Sequence, residues 1–325
     1  MMQALTVQML SPDLSGVALA RVAEPVRAAG EVLVRVRAVS LNFPDLMMTR
    51  GEYQLKPQLP FVLGLEFAGE VLAADADSGF AIGARVYGGR QTGCFAEQVA
   101  VPAAALRLIP EGMDFAHAAA FGAAYSTAYT ALVELGGLKP GQWVLIHGAS
   151  GGVGLAACDL AKALGAKVIA ASGSKRKLAA LEQACAPDAV LLAQGQFRAA
   201  VTAITGGALC DLVYDPVGGD VFDESTRCVA FGGKLLVVGF AGGRIADIST
   251  NIPLIKGFSV VGVRAGEYAR RFPARGAAIR DALLAMAAVG QITPHIDRVL
   301  PLSRWREAFQ AMATRELVGK VVLEP

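Results

Sequence analysis

An α/β protein built on a doubly wound parallel sheet, preceded by a mainly β domain, is the fold this sequence predicts. Three observations carry that expectation. From Gly141 onward, apolar runs of strand length alternate with Ala-rich or amphipathic helical stretches. At one junction, Trp143 to Ala157, a β-type run breaks into glycines and then becomes a helix. Before residue 118 the pattern is different: short alternating runs, broken by Gly and Pro, indicate antiparallel strands.

In chain order, Glu31–Arg37 and Gly69–Leu72 read as strands of the first domain. Phe115 to Val133 lacks Asp, Glu, Lys and Arg, yet its Ala, Gly, Ser and Thr content suits close packing of a buried helix better than a membrane span. Strands are expected at 143–147, 167–171, 189–192, 211–214, 234–239 and 258–263, with helices at 152–164, 175–184 and 220–229. Repeated strand–helix–strand units joined by right-handed crossovers make a parallel sheet. Beyond residue 264 come an arginine-rich helix from Arg270 to Ala288, a Pro-flanked segment, a helix near 303–313 and a strand Lys320–Leu323. Residues 119–263 therefore form the expected sheet domain, and 264–325 is expected to return and complete domain 1–118. The cleft between the two would hold the ligands.

Composition narrows the partners. The chain has 325 residues, 54% of them hydrophobic, and a formal net charge of +2 with no long basic run. Nucleic acid is not expected, and a small molecule is. The five cysteines are scattered, with no C-x-x-C spacing, which suits a reducing cytoplasm and excludes a disulfide framework or a structural zinc lobe. Met1 to Val7 shows no export signal.

The Trp143–Ala157 junction supplies the chemistry. A strand must turn sharply at its carboxyl end, backbone must approach a pyrophosphate without a Cβ in the way, and the next helix must aim its free N–H groups at the anion. Ser150, Gly151, Gly152, Val153 and Gly154 meet those needs in an A-x-G-x-x-G pattern. Because it follows a strand and opens a helix, the pattern reads as a dinucleotide site. After the second strand, where NAD enzymes carry an acidic residue, the chain has Ser172-Gly173-Ser174-Lys175-Arg176-Lys177 instead. Hydroxyls and cations there favour a 2′-phosphate, and hence NADPH.

Six segments, this turn among them, resemble the zinc-free medium-chain dehydrogenase/reductases, in particular the NADPH:quinone oxidoreductases related to ζ-crystallin. They are Ser40–Asp45, Pro60–Gly69, Ala124–Tyr129, His147–Gly154, Asp215–Gly219 and Val238–Gly243. The resemblance implies a GroES-like catalytic domain and a Rossmann domain. It also implies a homodimer formed through the edge strand Phe258–Val263, since an apolar edge left bare invites pairing. Zinc-dependent relatives place a Cys ligand where this chain has Asn42 and a His where it has Leu65. An amide and a leucine cannot replace thiolate and imidazole. His117, His147 and His295 are isolated and read as structural.

By the same resemblance Lys177 contacts the 2′-phosphate and Arg315 supplies a second cation. Thr127 and the turn Gly239-Phe240-Ala241 border the nicotinamide, and Asn42 and Tyr53 face the substrate. Tyr53 either donates a hydrogen bond to a developing oxyanion or serves as a stacking lid, while Asp45 and Glu66 read as structural. One departure is the absence of a phosphate-binding Tyr after the third strand, which ends in Leu191-Leu192-Ala193. The expected activity is metal-free hydride transfer from NADPH to a quinone or another α,β-unsaturated carbonyl. An enoyl-thioester reductase, using Arg264, Arg270, Arg271, Arg275 and Arg280 for carrier phosphates, is one alternative. A non-catalytic NADPH-binding protein of the crystallin or RNA-binding type is another.

Overall fold

The apolar runs after Gly141 become six strands: β1 Trp143–Ile146, β2 Lys167–Ser172, β3 Ala189–Leu192, β4 Cys210–Asp215, β5 Val229–Val237 and β6 Ser259–Gly262. They form one parallel sheet in the order β3-β2-β1-β4-β5-β6. Val144, Leu145, Ile146, Val168 and Ile169 are fully buried, as a sheet covered on both faces requires. The strand order reverses between β1 and β4. Doubly wound folds bind ligands at that reversal, outside the carboxyl ends of the strands.

The structure, a computed structural model describing residues 1–325, divides into two units, Met1–Ala123 with Ile296–Pro325, and Ala124–His295. The second contains the parallel sheet and the helices α1 Gly152–Ala163, α2 Leu178–Cys185, α3 Arg198–Ile204, α4 Gly219–Ser225, α5 Asn251–Lys256, α6 Ala265–Arg271 and α7 Pro273–Ala288. The expected helix 220–229 stops at Ser225 because the chain must turn to start β5, with Cys228 O accepting from Cys210 N at 2.9 Å. Helices α3 and α5 were not expected; each is a turn or two long, and α5 contains Pro253. The single arginine-rich helix is in fact two. Pro273 has no N–H to continue α6 and instead opens α7.

The tail divides differently from the expectation. Residues 264–295 stay with the dinucleotide-type unit, and only 296–325 joins the first unit. Specific polar ties explain this: Tyr268 Oη donates to Glu134 at 2.8 Å, and Thr293 N donates to Asp159 Oδ2 at 2.9 Å. The Pro-flanked segment supplies the strand Ile296–Pro301.

In the first unit, short strands make a seven-stranded sheet and a three-stranded one. The long strand Glu31–Ser40 is central, pairing antiparallel with Glu66–Ala73 on one side and Lys320–Glu324 on the other. Val322 lies opposite Ser40, and Phe67 opposite Val39. That register brings Asn42, Glu66 and Lys320 to one end of the central strand. The core beneath is closed by Leu5, Val34, Leu46, Phe67, Phe95 and Phe309, all 1% exposed or less.

Candidate active site

In the second unit the chain leaves β1 through a turn that only glycine fits. Gly148 has φ +56°, and a Cβ on Gly154 would lie 2.2 Å from Gly148 O. With Gly151 as N-cap, the first intrahelical bond of α1 is Leu155 N to Gly151 O at 2.8 Å. The N–H groups of Gly152, Val153 and Gly154 therefore have no helical acceptor and are available to an anion. Ser150 is buried, and Gly151 to Val153 are partly exposed.

His147, at the start of the turn, is fully buried against Phe197 and lies 2.8 Å from Ser225 Oγ through Nε2. Ser225 Oγ donates to Val221 O at 2.6 Å, so the imidazole is the donor in the other bond. Burial pushes its pKa down to about 3. This histidine is structural, as its isolation in the sequence implied.

Two turns meet where β4 and β5 end. Asp215 Oδ1 accepts from Val217 N at 2.8 Å and Gly218 N at 2.9 Å, holding that turn. Ala241 N donates to Pro216 O at 2.9 Å and Gly242 N to Val217 O at 2.8 Å, which lays the Gly239–Ala241 turn upon it. Phe240 is left 45% exposed. Arg244, which the sequence did not single out, ties this loop to α4 through Asp220 and Asp223. Thr127 is half-buried in the helix Phe115–Tyr129.

At the end of β2, Ser172 is buried and its Oγ accepts from Ser174 N at 3.2 Å. Lys177 is also buried, 8% exposed, whereas Lys175 and Arg176 are exposed. Gln194 Nε2 donates to Gly173 O at 2.7 Å and braces the loop from the end of β3. That glutamine follows the position where the expected Tyr is missing; nothing in its own sequence neighbourhood marked it.

The first unit contributes a closed polar group. Asn42 Nδ2 donates to Glu66 Oε1 at 2.9 Å and to Ser40 O at 3.1 Å. Lys320 Nζ donates to Asn42 Oδ1 at 2.7 Å, to Glu66 Oε1 at 3.0 Å and to Leu41 O at 3.2 Å. Glu66 Oε2 accepts from Ala123 N at 2.8 Å. Asp45 Oδ2 caps the helix Phe43–Thr49 by accepting from Asn42 N at 2.9 Å. Burial drives Asp45 up to about 7, outweighing the Asn42 hydrogen bond and the Lys320 charge, which both favour its anion. Tyr53 is half-buried against the domain core. Arg315 is exposed on the turn after the helix Trp305–Ala313, with φ +57°.

The geometry thus brings Ser150–Gly154, Ser172, Ser174, Lys177 and Gly239–Ala241 to the carboxyl ends of one sheet. In the other unit it joins Asn42 to Glu66 and to Lys320, a residue the sequence reading passed over as part of a final strand. Residues 28–111 match the alcohol dehydrogenase GroES-like domain, and residues 152–280 match the zinc-binding dehydrogenase family. Quinone oxidoreductase-like protein 2 of Bos taurus is 38% identical over 296 residues, covering 90% of this chain and 84% of its own length. The chain belongs to the quinone oxidoreductase group of the medium-chain dehydrogenase/reductases. A Pseudomonas syringae quinone oxidoreductase superposes on this chain with a TM-score of 0.89 at 28% identity, each chain fully covered. A mycobacterial relative whose structure is complexed with NADPH gives 0.88 at 29% identity, again with full coverage of both chains.

The zinc in the family's description finds no ligand set here. Asn42 offers an amide already engaged on both sides, Leu65 has no donor atom, and Glu66 is paired with an ammonium. Nowhere in the chain do three or more His, Cys, Asp or Glu side chains gather in a metal-holding cluster. A nicotinamide cofactor, by contrast, suits the glycine turn: a Cβ at Gly154 would fill the contact between turn and helix, and the first N–H groups of α1 have no helical acceptor.

Proposed function

We propose that this chain is an NADPH-dependent reductase that delivers a hydride to a quinone or another α,β-unsaturated carbonyl without a metal ion. The observation that carries this reading is the closed Asn42–Glu66–Lys320 group, in which Asn42 stands, by the resemblance, where zinc relatives carry a ligand. With no Lewis acid to polarise a carbonyl, acceptors that take hydride readily are favoured over simple ketones, and alcohol oxidation is disfavoured. NADPH supplies the hydride when bound.

The protein's own part is orientation and charge. Free N–H groups at the start of α1 hold the pyrophosphate, while Ser172, Ser174 and Lys177, with Arg315 as a second cation, hold the 2′-phosphate. Thr127 and Gly239–Ala241 border the nicotinamide. Both hydrogens of the Asn42 amide are engaged, so it can only accept a hydrogen bond from a ligand. Donation to a developing oxyanion falls to Tyr53.

The enoyl-thioester alternative loses support from charge pairing. Glu267 binds Arg270 at 2.8 Å and Arg271 at 2.9 Å, and Arg275 lies 3.5 Å from Glu134, so much of the arginine series is already neutralised. We place the protein in the cytoplasm on its five scattered cysteines, all of them free; no helix is long and apolar enough to cross a membrane.

Purified protein should oxidise NADPH with small quinones or enones and keep that activity after exhaustive chelation. A panel of quinones, enones and enoyl thioesters, run with chelator and with added zinc, tests this. The reading would be falsified if chelator abolished turnover and zinc restored it. Tight NADPH binding with no turnover on any acceptor would point instead to the non-catalytic alternative.

A homodimer through β6 completes the proposal. That strand is the sheet edge, with Val260 37% exposed, and it follows α5, where Leu254 and Ile255 are 81% and 75% exposed. Phe231, 88% exposed, lies against Gly257 between them. Pairing two such edges would cover this apolar surface. Light scattering at micromolar concentration should give twice the chain mass, and Val260→Lys should halve it. A monomeric parent protein would remove the assignment.

A further inference from the structure

We propose that Lys320 is a positioning residue for Asn42, deciding which end of the amide is presented to a ligand. The inference rests on the reading that Asn42 meets cofactor or substrate. The two ends of an amide, C=O and NH2, are nearly the same size, so packing alone does not choose between them. An ammonium can only donate, and at 2.7 Å it must face Oδ1. That leaves Nδ2 to donate to Ser40 O and Glu66 Oε1, as observed.

Lys320 itself has nothing left for a substrate. Its three hydrogens are matched by Leu41 O, Asn42 Oδ1 and Glu66 Oε1. It can act only through Asn42. Nor does folding by itself require the pair, since buried ion pairs commonly contribute no more stability than an apolar replacement of similar volume. What the pair adds is specificity: one amide orientation, with Oδ1 on the ammonium and beside the Asp45 N–H of the helix cap, and Nδ2 on Ser40 O and Glu66 Oε1. A ligand then meets an amide whose acceptor end is fixed, so that a hydroxyl is favoured there over a carbonyl oxygen.

The placement comes from chain topology. Val322 lies opposite Ser40 in the antiparallel pair, and Leu41 N donates to Val321 O at 3.0 Å, so the same register sets Lys320 beside Asn42. Lys320 and Glu66 side chains are 7% and 5% exposed, which shields the pair from exchange with water.

The test is a cycle between Asn42→Ala and the double variant Lys320→Met/Glu66→Gln, which removes both charges and leaves neither orphaned. Each protein is assayed for kcat/KM with NADPH and 1,4-benzoquinone, and for NADPH affinity by fluorescence titration, so the cycle can be read without turnover. With Asn42 present, the double variant should lose roughly tenfold, the scale of one hydrogen bond. In the Asn42→Ala background it should change by less than about twofold, since independent effects would multiply instead. Lys320→Arg, also a pure donor, should restore most of the loss seen in Lys320→Met. Equal losses in both backgrounds, or none in either, would overturn the positioning role. If Asn42→Ala alone alters neither constant, the reading of Asn42 as a ligand contact fails and the proposal falls with it. If Asn42→Ala matters but the double variant does not, only the positioning role fails.

Discussion

Lys177→Ala should weaken NADPH binding by roughly tenfold to 150-fold, the loss of one charge-assisted hydrogen bond of about 1.5–3 kcal/mol, while leaving NADH nearly unchanged. The expectation follows from position. Lys177 is buried beside the loop that ends β2, where Ser172 and Ser174 stand in place of the carboxylate that NAD enzymes use. A buried cation is poorly screened, so its removal should be felt strongly by the extra phosphate. Lys175 and Arg176 are exposed, and their alanine variants should each cost less. Titration of both cofactors against all three variants decides the matter. Equal weakening of NADPH and NADH by Lys177→Ala would sink the 2′-phosphate assignment.

The second large effect is a pair of opposed pH dependences. His147 has a folded pKa of about 3 against an ordinary 6.5, so the unfolded chain takes up its proton first. Its contribution is complete above 6.5 and is lost as pH falls toward 3. Asp45, raised from 3.8 to about 7, does the reverse: the folded protein takes up the proton first, and stability rises as pH falls from 7 to 3.8. Each slope is about 1.4 kcal/mol per pH unit, so the two nearly cancel in the native protein. Single variants should expose them. Between pH 6.5 and 4.5, His147→Gln should gain about 2 kcal/mol relative to the native chain, and Asp45→Asn should lose a similar amount. Chemical denaturation at the two pH values reads both. A stability difference for His147→Gln that is the same at each pH would exclude the buried neutral imidazole as the cause.

The Rossmann half was legible because its signals are local. β1, β2 and β3 match their expected positions within a residue or so, since a buried parallel strand needs an unbroken apolar run and its helix needs a glycine turn to begin. Gly154 is dictated at this level too: the contact that excludes a Cβ involves Gly148, six residues earlier in the same turn. The short helices α3 and α5 were missed because a helix of one or two turns carries too little periodicity to be seen. The assignment of 264–295 to the first domain failed for a different reason. Composition does not reveal that Thr293 N would find Asp159, a bond across 134 residues.

The amino-acid sequence by itself determined the parallel sheet, the glycine turn that suits a dinucleotide, the missing acidic residue after β2 and the absence of zinc ligands at Asn42 and Leu65. Each of these is a property of neighbouring residues, set by backbone sterics and by the atoms a side chain does or does not carry. Tertiary structure alone decided what Asn42 and Glu66 do. Their partner, Lys320, lies 278 residues from Asn42 and 254 from Glu66, and it arrives through the register of the strand Lys320–Glu324 against Glu31–Ser40. Strand register is set by the whole core and not by any short segment, because a slip of one residue would carry Lys320 to the opposite face of the strand, away from Asn42 and Glu66. A carboxylate and an amide that look idle in the sequence are therefore locked into one hydrogen-bonded arrangement only when the sheet closes around them.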